Sequence, residues 1–227
     1  MSHISQENCR GLRSFSQGLG EKYSLLLCTI LWLTAYAAGI SVLYRYQSTP
    51  GPETEAPGIW PERSQISRVE ALPTLLLFAH PQCPCTRATL GELAILMAHC
   101  LGKVTAYVIF IQPKEKGGDW VHTQLWRNAQ SIPGVLVRAD AGRKETLRFH
   151  ILTSGHALLY DKHGKLLFSG GITAGRGHEG DNQGLWDLRQ LLDHEIPPGQ
   201  KTPAFGCPLF EDNSPPWAKE QPCTRGP

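Results

Sequence analysis

PTLLLFAHPQCPCTRATLGELAILMAHCL, residues 73–101, is the stretch from which the rest of the chain is read. An apolar run, Leu75-Leu76-Leu77-Phe78, breaks at His80-Pro81. Cys83 and Cys85 follow with only Pro84 between them, and then Leu90, Leu93, Met97 and Leu101 recur on one helical face. The pattern predicts a strand over 73–79, a turn, and a helix over 84–101, with both thiols at the helix start. A helix N-terminus offers unpaired N–H groups and the positive end of the helix dipole, which favour thiolate over thiol. A core cysteine has no need of flanking prolines, so this pair reads as reactive.

Outward from that stretch, Gly102 ends the helix and residues 103–111, rich in β-branched and aromatic side chains, predict a buried strand. Asp119 is placed to cap a helix over 120–130. A short strand over 135–138 and a short helix over 142–149 come next. Two apolar runs, 157–160 and 166–168, are joined by the turn sequence 161–165 and predict an antiparallel hairpin. A last helix is expected over 183–194. The order β-α-β-α-β-α-β-β-α predicts an α/β fold, a mixed sheet with helices on both faces.

Towards the N-terminus, residues 23–44 contain no Asp, Glu, Lys or Arg and would span about 33 Å as a helix, enough for a hydrocarbon core of about 30 Å. The apolar run continues past the small-x-small site Ala35-Tyr36-Ala37, which favours an uncleaved anchor over a signal peptide. Arg10, Arg13 and Lys22 precede the span, so residues 1–22 are expected in the cytoplasm and the rest beyond the inner membrane, on the periplasmic or extracytoplasmic side. Residues 45–65, with Pro50, Pro52, Pro57 and Pro61, read as a linker, 66–196 as the folded domain, and the proline-rich 197–227 as an irregular surface tail. The formal charge of +2 is small and dispersed, with no basic cluster among aromatics, which argues against nucleic acid as a partner.

Of the seven cysteines, Cys9 is cytoplasmic and Cys28 intramembrane in this topology. Cys83, Cys85, Cys100, Cys207 and Cys223 remain, in a compartment where disulfides persist. Cys100, at the far end of the helix, is expected in the core. Cys207 and Cys223 share the tail and are expected to bridge each other. The formal G-x-G-x-x-G at Gly175, Gly177 and Gly180 would need a following parallel strand with an acidic end, which the tail does not offer.

The Cys-Pro-Cys turn, TSGHALLYD (153–161) and SGGITAGRGHEGDN (169–182) together resemble the thioredoxin-like superfamily, more narrowly its RedB-type membrane-anchored members, over about residues 70–195. The resemblance implies a thioredoxin-like sheet and a redox-active disulfide acting on exported thiol proteins or a redox partner, with no cofactor. Thioredoxins carry two residues between their cysteines. Aligning Pro84 with their proline puts Cys85 at the resolving position and Gln82 at the attacking one, so the roles do not transfer directly. We expect Cys83, read as the more exposed thiol, to attack and Cys85 to resolve, with His80 tuning the thiolate and Pro84 shaping the turn. A disulfide across one residue closes a tight ring, which suggests an oxidant or isomerase rather than a strong reductant. Ser154, Gly155 and His156 stand where the superfamily has its cis-proline, and with His178 and Glu179 they are candidates for the substrate mouth. Two other chemistries fit the same residues. One is copper delivery through Cys83, Cys85 and His80 or His156. The other is a peroxiredoxin-like peroxidase with Cys83 attacking and Cys85 or Cys207 resolving, although His80 stands where those enzymes carry Thr or Ser.

Overall fold

A computed structural model describes residues 4–194 and 199–210, with side chains from residue 22 onward apart from His194. It contains two units, residues 1–46 and the domain from residue 47. Helix α1 (Ile4–Ser48) carries an apolar span, Lys22–Ser48, long enough to cross a membrane and fully exposed along its length. That span contains the expected 23–44.

The domain is built on a six-stranded sheet of order β3-β2-β1-β4-β5-β6. Strands β1 (Thr74–Ala79), β2 (Thr105–Gln112) and β3 (Val135–Ala141) run parallel, linked through helices α2 (Cys85–Cys100) and α3 (Gln124–Gln130). Strand β4 (His156–Tyr160) pairs antiparallel with β1 on its other edge and forms the expected hairpin with β5 (Leu166–Gly171). Helix α4 (Lys144–Arg148) precedes β4, and α5 (Gln183–His194) follows β5.

Central strands buried on both faces need apolar residues at every position, and β1 and β4 have none exposed. Strand parity then sorts the core. Leu75, Leu77, Ala157 and Leu159 pack against Leu90, Leu93, Leu96 and Met97 of α2 and Leu185 and Leu188 of α5. Leu76, Phe78, Leu158 and Tyr160 face the other way, onto Phe149 after α4, Ile66, Trp60 and Leu209. Each such side chain contributes about 1.5–3 kcal/mol by leaving water.

Several expectations change. Asp119 lies in a short 3-10 turn, Gly118–Trp120, and α3 begins at Thr123 without a side-chain cap. The capping carboxylate is Asp140, which accepts the N–H groups of Glu145 and Thr146 at the start of α4. The expected linker packs on the domain: Tyr160 donates its hydroxyl to the Pro57 carbonyl at 2.8 Å, and Ile59 bridges Lys165. Local composition resists helix and strand but does not prevent irregular chain from covering a sheet face.

Residues 199–210 of the tail also pack on the domain. Strand β6 (Gln200–Lys201) adds to β5 in parallel, the pairing that the sequence did not suggest. Beyond it Thr153 bridges Pro208, and Leu209 N–H donates to Leu152 C=O at 2.8 Å. Gly206 is required by this contact, since a Cβ there would lie 1.9 Å from the Ser154 carbonyl oxygen.

Candidate redox site

The site forms where β1 ends. The backbone turns through 80–84, with Cys83 N–H donating to His80 C=O at 3.1 Å and Thr86 N–H to Cys83 C=O at 3.1 Å. Pro84 sits in helical geometry, φ −58° and ψ −33°, where its missing N–H costs nothing at a helix start. Ser154 holds this turn from the bend just before β4: its hydroxyl accepts His80 N–H at 2.9 Å and lies 3.1 Å from the Thr86 hydroxyl. Thr123 secures the outer side by donating to Pro81 C=O.

The sulfur of Cys83 takes the place of a capping oxygen. It accepts from the Cys207 thiol and from the N–H groups of Cys207, Cys85 and Thr86, so its pKa falls to about 5 although burial opposes ionisation. Cys207 is pushed upward by the same bond, by burial and by the charge on Cys83. Cys85 is raised by burial and then by its charged neighbour. One thiolate is therefore flanked by two protonated thiols. Arg176 favours ionisation of both neighbours, and its guanidinium donates to Gly206 C=O at 2.6 Å.

Cys83 is not the more exposed of the pair. It is 1% exposed against 8% for Cys85. Neither belongs to the two apolar clusters of the domain, whereas Cys100 is part of one. The segment carrying Cys207 lies against Cys83, fixed by Ser154 N–H donating to Cys207 C=O at 2.9 Å.

The other expected site residues divide. His80 adjoins Cys83, but burial lowers its pKa, with Arg143 adding to that effect against the pull of Cys83. Its Nδ1 accepts Gln82 N–H at 3.1 Å and its ring stands edge-on to Trp120, so it shapes the turn as a neutral ring. Ser154 and Gly155 support the site rather than line an open mouth. Gly155 adopts φ +85° and donates to Phe78 C=O at 2.7 Å.

His156 is not brought to the thiols. It pairs with Phe78 and so shares the sheet face opposite α2. Its Nε2 lies 2.9 Å from the Ser169 hydroxyl, its pKa falls to about 4 by burial, and it lines a cavity of about 320 Å³ with Lys201 and residues 50–55. His178 and Glu179 are exposed on a loop that touches α2, where Gly180 N–H donates to Glu92. From that loop it is Arg176 that acts on the thiols.

Among the described residues no group of three or more His, Cys, Asp or Glu is arranged to hold a metal ion. Cys223 lies outside the described residues, so the expected Cys207–Cys223 bridge does too. The sequence reading had Cys207 among its candidate resolving thiols and Ser154 among its mouth residues; it missed Arg176 and the clamp that Ser154 forms with Thr86.

No family model matches the sequence, and no curated protein matches it. Solved structures do. An uncharacterised conserved protein from Geobacillus kaustophilus superposes with a TM-score of 0.51 at 17% identity, covering 74% of this chain and 92% of that one. A hypothetical protein from Sinorhizobium meliloti gives 0.51 and 17%, covering 71% and 93%. StoA from Bacillus subtilis is a more distant likeness, at 0.42 and 16%, covering 63% and 98%. The parallel first half, the antiparallel hairpin and the thiols at the end of the central strand complete the arrangement that the motifs implied. The fold, a mixed α/β sheet with helices on both faces, is the one expected, and it is shared with the first two of these structures.

Proposed function

We propose that this chain is a membrane-anchored thiol–disulfide oxidoreductase of the RedB type, acting on exported thiol proteins from the outer side of the inner membrane. The observation that supports this most is the placing of Cys83 and Cys85 at the N-terminus of α2, with the Cys207 segment held by the same Ser154 that holds their turn; the lowered pKa of Cys83 agrees with it. A thiolate attacks a disulfide sulfur, giving a mixed disulfide and releasing one substrate thiolate; a second thiol of the cluster then displaces the substrate. The neighbouring N–H groups and Cys207 stabilise the attacking charge, and the turn clamped by Ser154 fixes its position. Anchoring through the apolar span of α1 would keep this chemistry in an oxidising compartment.

The test is insulin reduction by dithiothreitol, with the full chain in detergent. Catalysed turnover is expected, falling by about 10³-fold or more in Cys83→Ser, since a serine hydroxyl is neither ionised nor oxidisable here. No turnover by the native chain, together with stoichiometric Cu(I) binding lost in Cys85→Ser, would replace the reading with copper delivery.

A further inference from the structure

The backbone of Cys207 lies beside Ser154, which holds the Cys83 turn, although it comes from a segment far along the chain. Three backbone contacts put it there: Ser154 N–H to Cys207 C=O at 2.9 Å, the bridge between Thr153 and Pro208, and Leu209 N–H to Leu152 C=O at 2.8 Å. Arg176 braces the residue before it, and the close approach of Gly206 to Ser154 leaves no space for a side chain. The segment is thus pinned to the same Ser154 whose hydroxyl holds the Cys83 turn. One residue holds the segments that carry both cysteines.

Cys85 is placed differently. It belongs to the same turn as Cys83, across Pro84 with its fixed φ, and that turn is closed by Thr86 N–H to Cys83 C=O and Arg87 N–H to Pro84 C=O. Its own N–H is one of the donors on the Cys83 sulfur. A bond between these two sulfurs must form inside the ring that those contacts define, whereas Cys207 meets Cys83 from a separate segment.

Resting on the exchange reading above, we propose that Cys207, rather than Cys85, is the resolving thiol, and that the oxidised site is a Cys83–Cys207 disulfide. In the first step the Cys83 thiolate attacks R–S–S–R′, forming Cys83–S–S–R and releasing R′–S⁻. In the second, Cys207 gives its proton to R′–S⁻, and its sulfur attacks the Cys83 sulfur and releases R–S⁻. Two protein sulfurs are oxidised and two substrate sulfurs reduced, with no further reactant. The first step also prepares the second. Cys207 is held protonated chiefly by its hydrogen bond to the Cys83 thiolate, and that charge disappears when the mixed disulfide forms, while Arg176 remains to favour ionisation. Cys85 then serves to support the thiolate through its backbone and is dispensable as a thiol.

The test uses the full chain in detergent, fully reduced, with 5,5′-dithiobis(2-nitrobenzoate) as the disulfide. Mapping of the native protein by mass spectrometry is expected to find Cys83 joined to Cys207. Cys207→Ser should stop at a stable thionitrobenzoate adduct on Cys83, losing the second release, while Cys85→Ser should complete it. A Cys83–Cys85 linkage in the native chain, or an adduct retained only in Cys85→Ser, would overturn the role of Cys207 and leave exchange standing. Absence of any adduct or disulfide at Cys83 in native and variant chains alike would remove exchange itself, and this proposal with it.

Discussion

Helix α2 has a cysteine at each end, and the two are nearly identical in exposure: Cys83 just before its first turn is 1% exposed and Cys100, its last residue, 0%. Their chemistry is opposite. At the first end the helix presents free N–H groups, and the sulfur accepts from two of them and from Cys207, which brings its pKa to about 5. At the other end, about 20 Å away by helical rise, the sulfur lies in the apolar cluster with Val104 and Leu96. Burial and then the charge of Asp193 push that thiol up, and the helix dipole there has the sign that opposes a thiolate. Burial alone therefore does not decide whether a cysteine is reactive. What decides it is which groups replace the lost water.

The strongest way to break this contrast is to titrate both sulfurs in one protein. At pH 7 Cys83 should be almost wholly thiolate and Cys100 protonated, so iodoacetamide should label Cys83 far faster, read by peptide mapping of the reduced chain. The Cys83 rate should be half-maximal near pH 5, flat above and falling below as the sulfur gains its proton. A Cys83 rate that rises only in the range of an ordinary thiol would mean the donors do not act on it.

Cys207→Ala sharpens the same contrast from the side of the partner. The Cys207 thiol is the first cause of the low Cys83 pKa, and a hydrogen bond to a charged group contributes about 1.5–3 kcal/mol, or about 1–2 pH units. The half-point of Cys83 alkylation should move upward by that amount, since removing a donor disfavours the ionised form. The backbone N–H groups of residues 207, 85 and 86 remain, so the pKa should not return fully to the usual value. An unchanged profile would assign the whole effect to the helix end.

The first end of α2 was legible in the sequence because its signals are local: an apolar strand, His80-Pro81, Pro84, and a helical period beginning at once. The order of strands and helices along the chain, as far as β5 and α5, followed from the same kind of signal, repeated. Cys207 was legible only as one of several possible partners, because its position depends on backbone pairing of its segment with Leu152 and Ser154, and a proline-rich segment carries no periodicity that would announce such pairing. His156 failed for a different reason. Strand β4 is buried on both faces, so its residues lack the polar–apolar alternation from which a face could be assigned. Only the register with Phe78 shows that the ring points away from α2.

The smallest expected effect lies at the second end of the helix. Cys100→Ala removes one buried sulfur from the cluster around Leu96 and Val104, and a cavity of that size costs about 1 kcal/mol. Urea denaturation should show the midpoint lowered with the slope unchanged, as expected when packing alone is lost. The half-point of Cys83 alkylation should stay near pH 5, because nothing that holds the Cys83 charge is altered. If Cys100→Ala shifted that profile, the two ends of α2 would be coupled through the helix, and the contrast could no longer be ascribed to the immediate donors of each sulfur. A shift in stability without a shift in titration instead keeps the distinction where the contacts place it, with Cys100 acting by volume and Cys83 by charge.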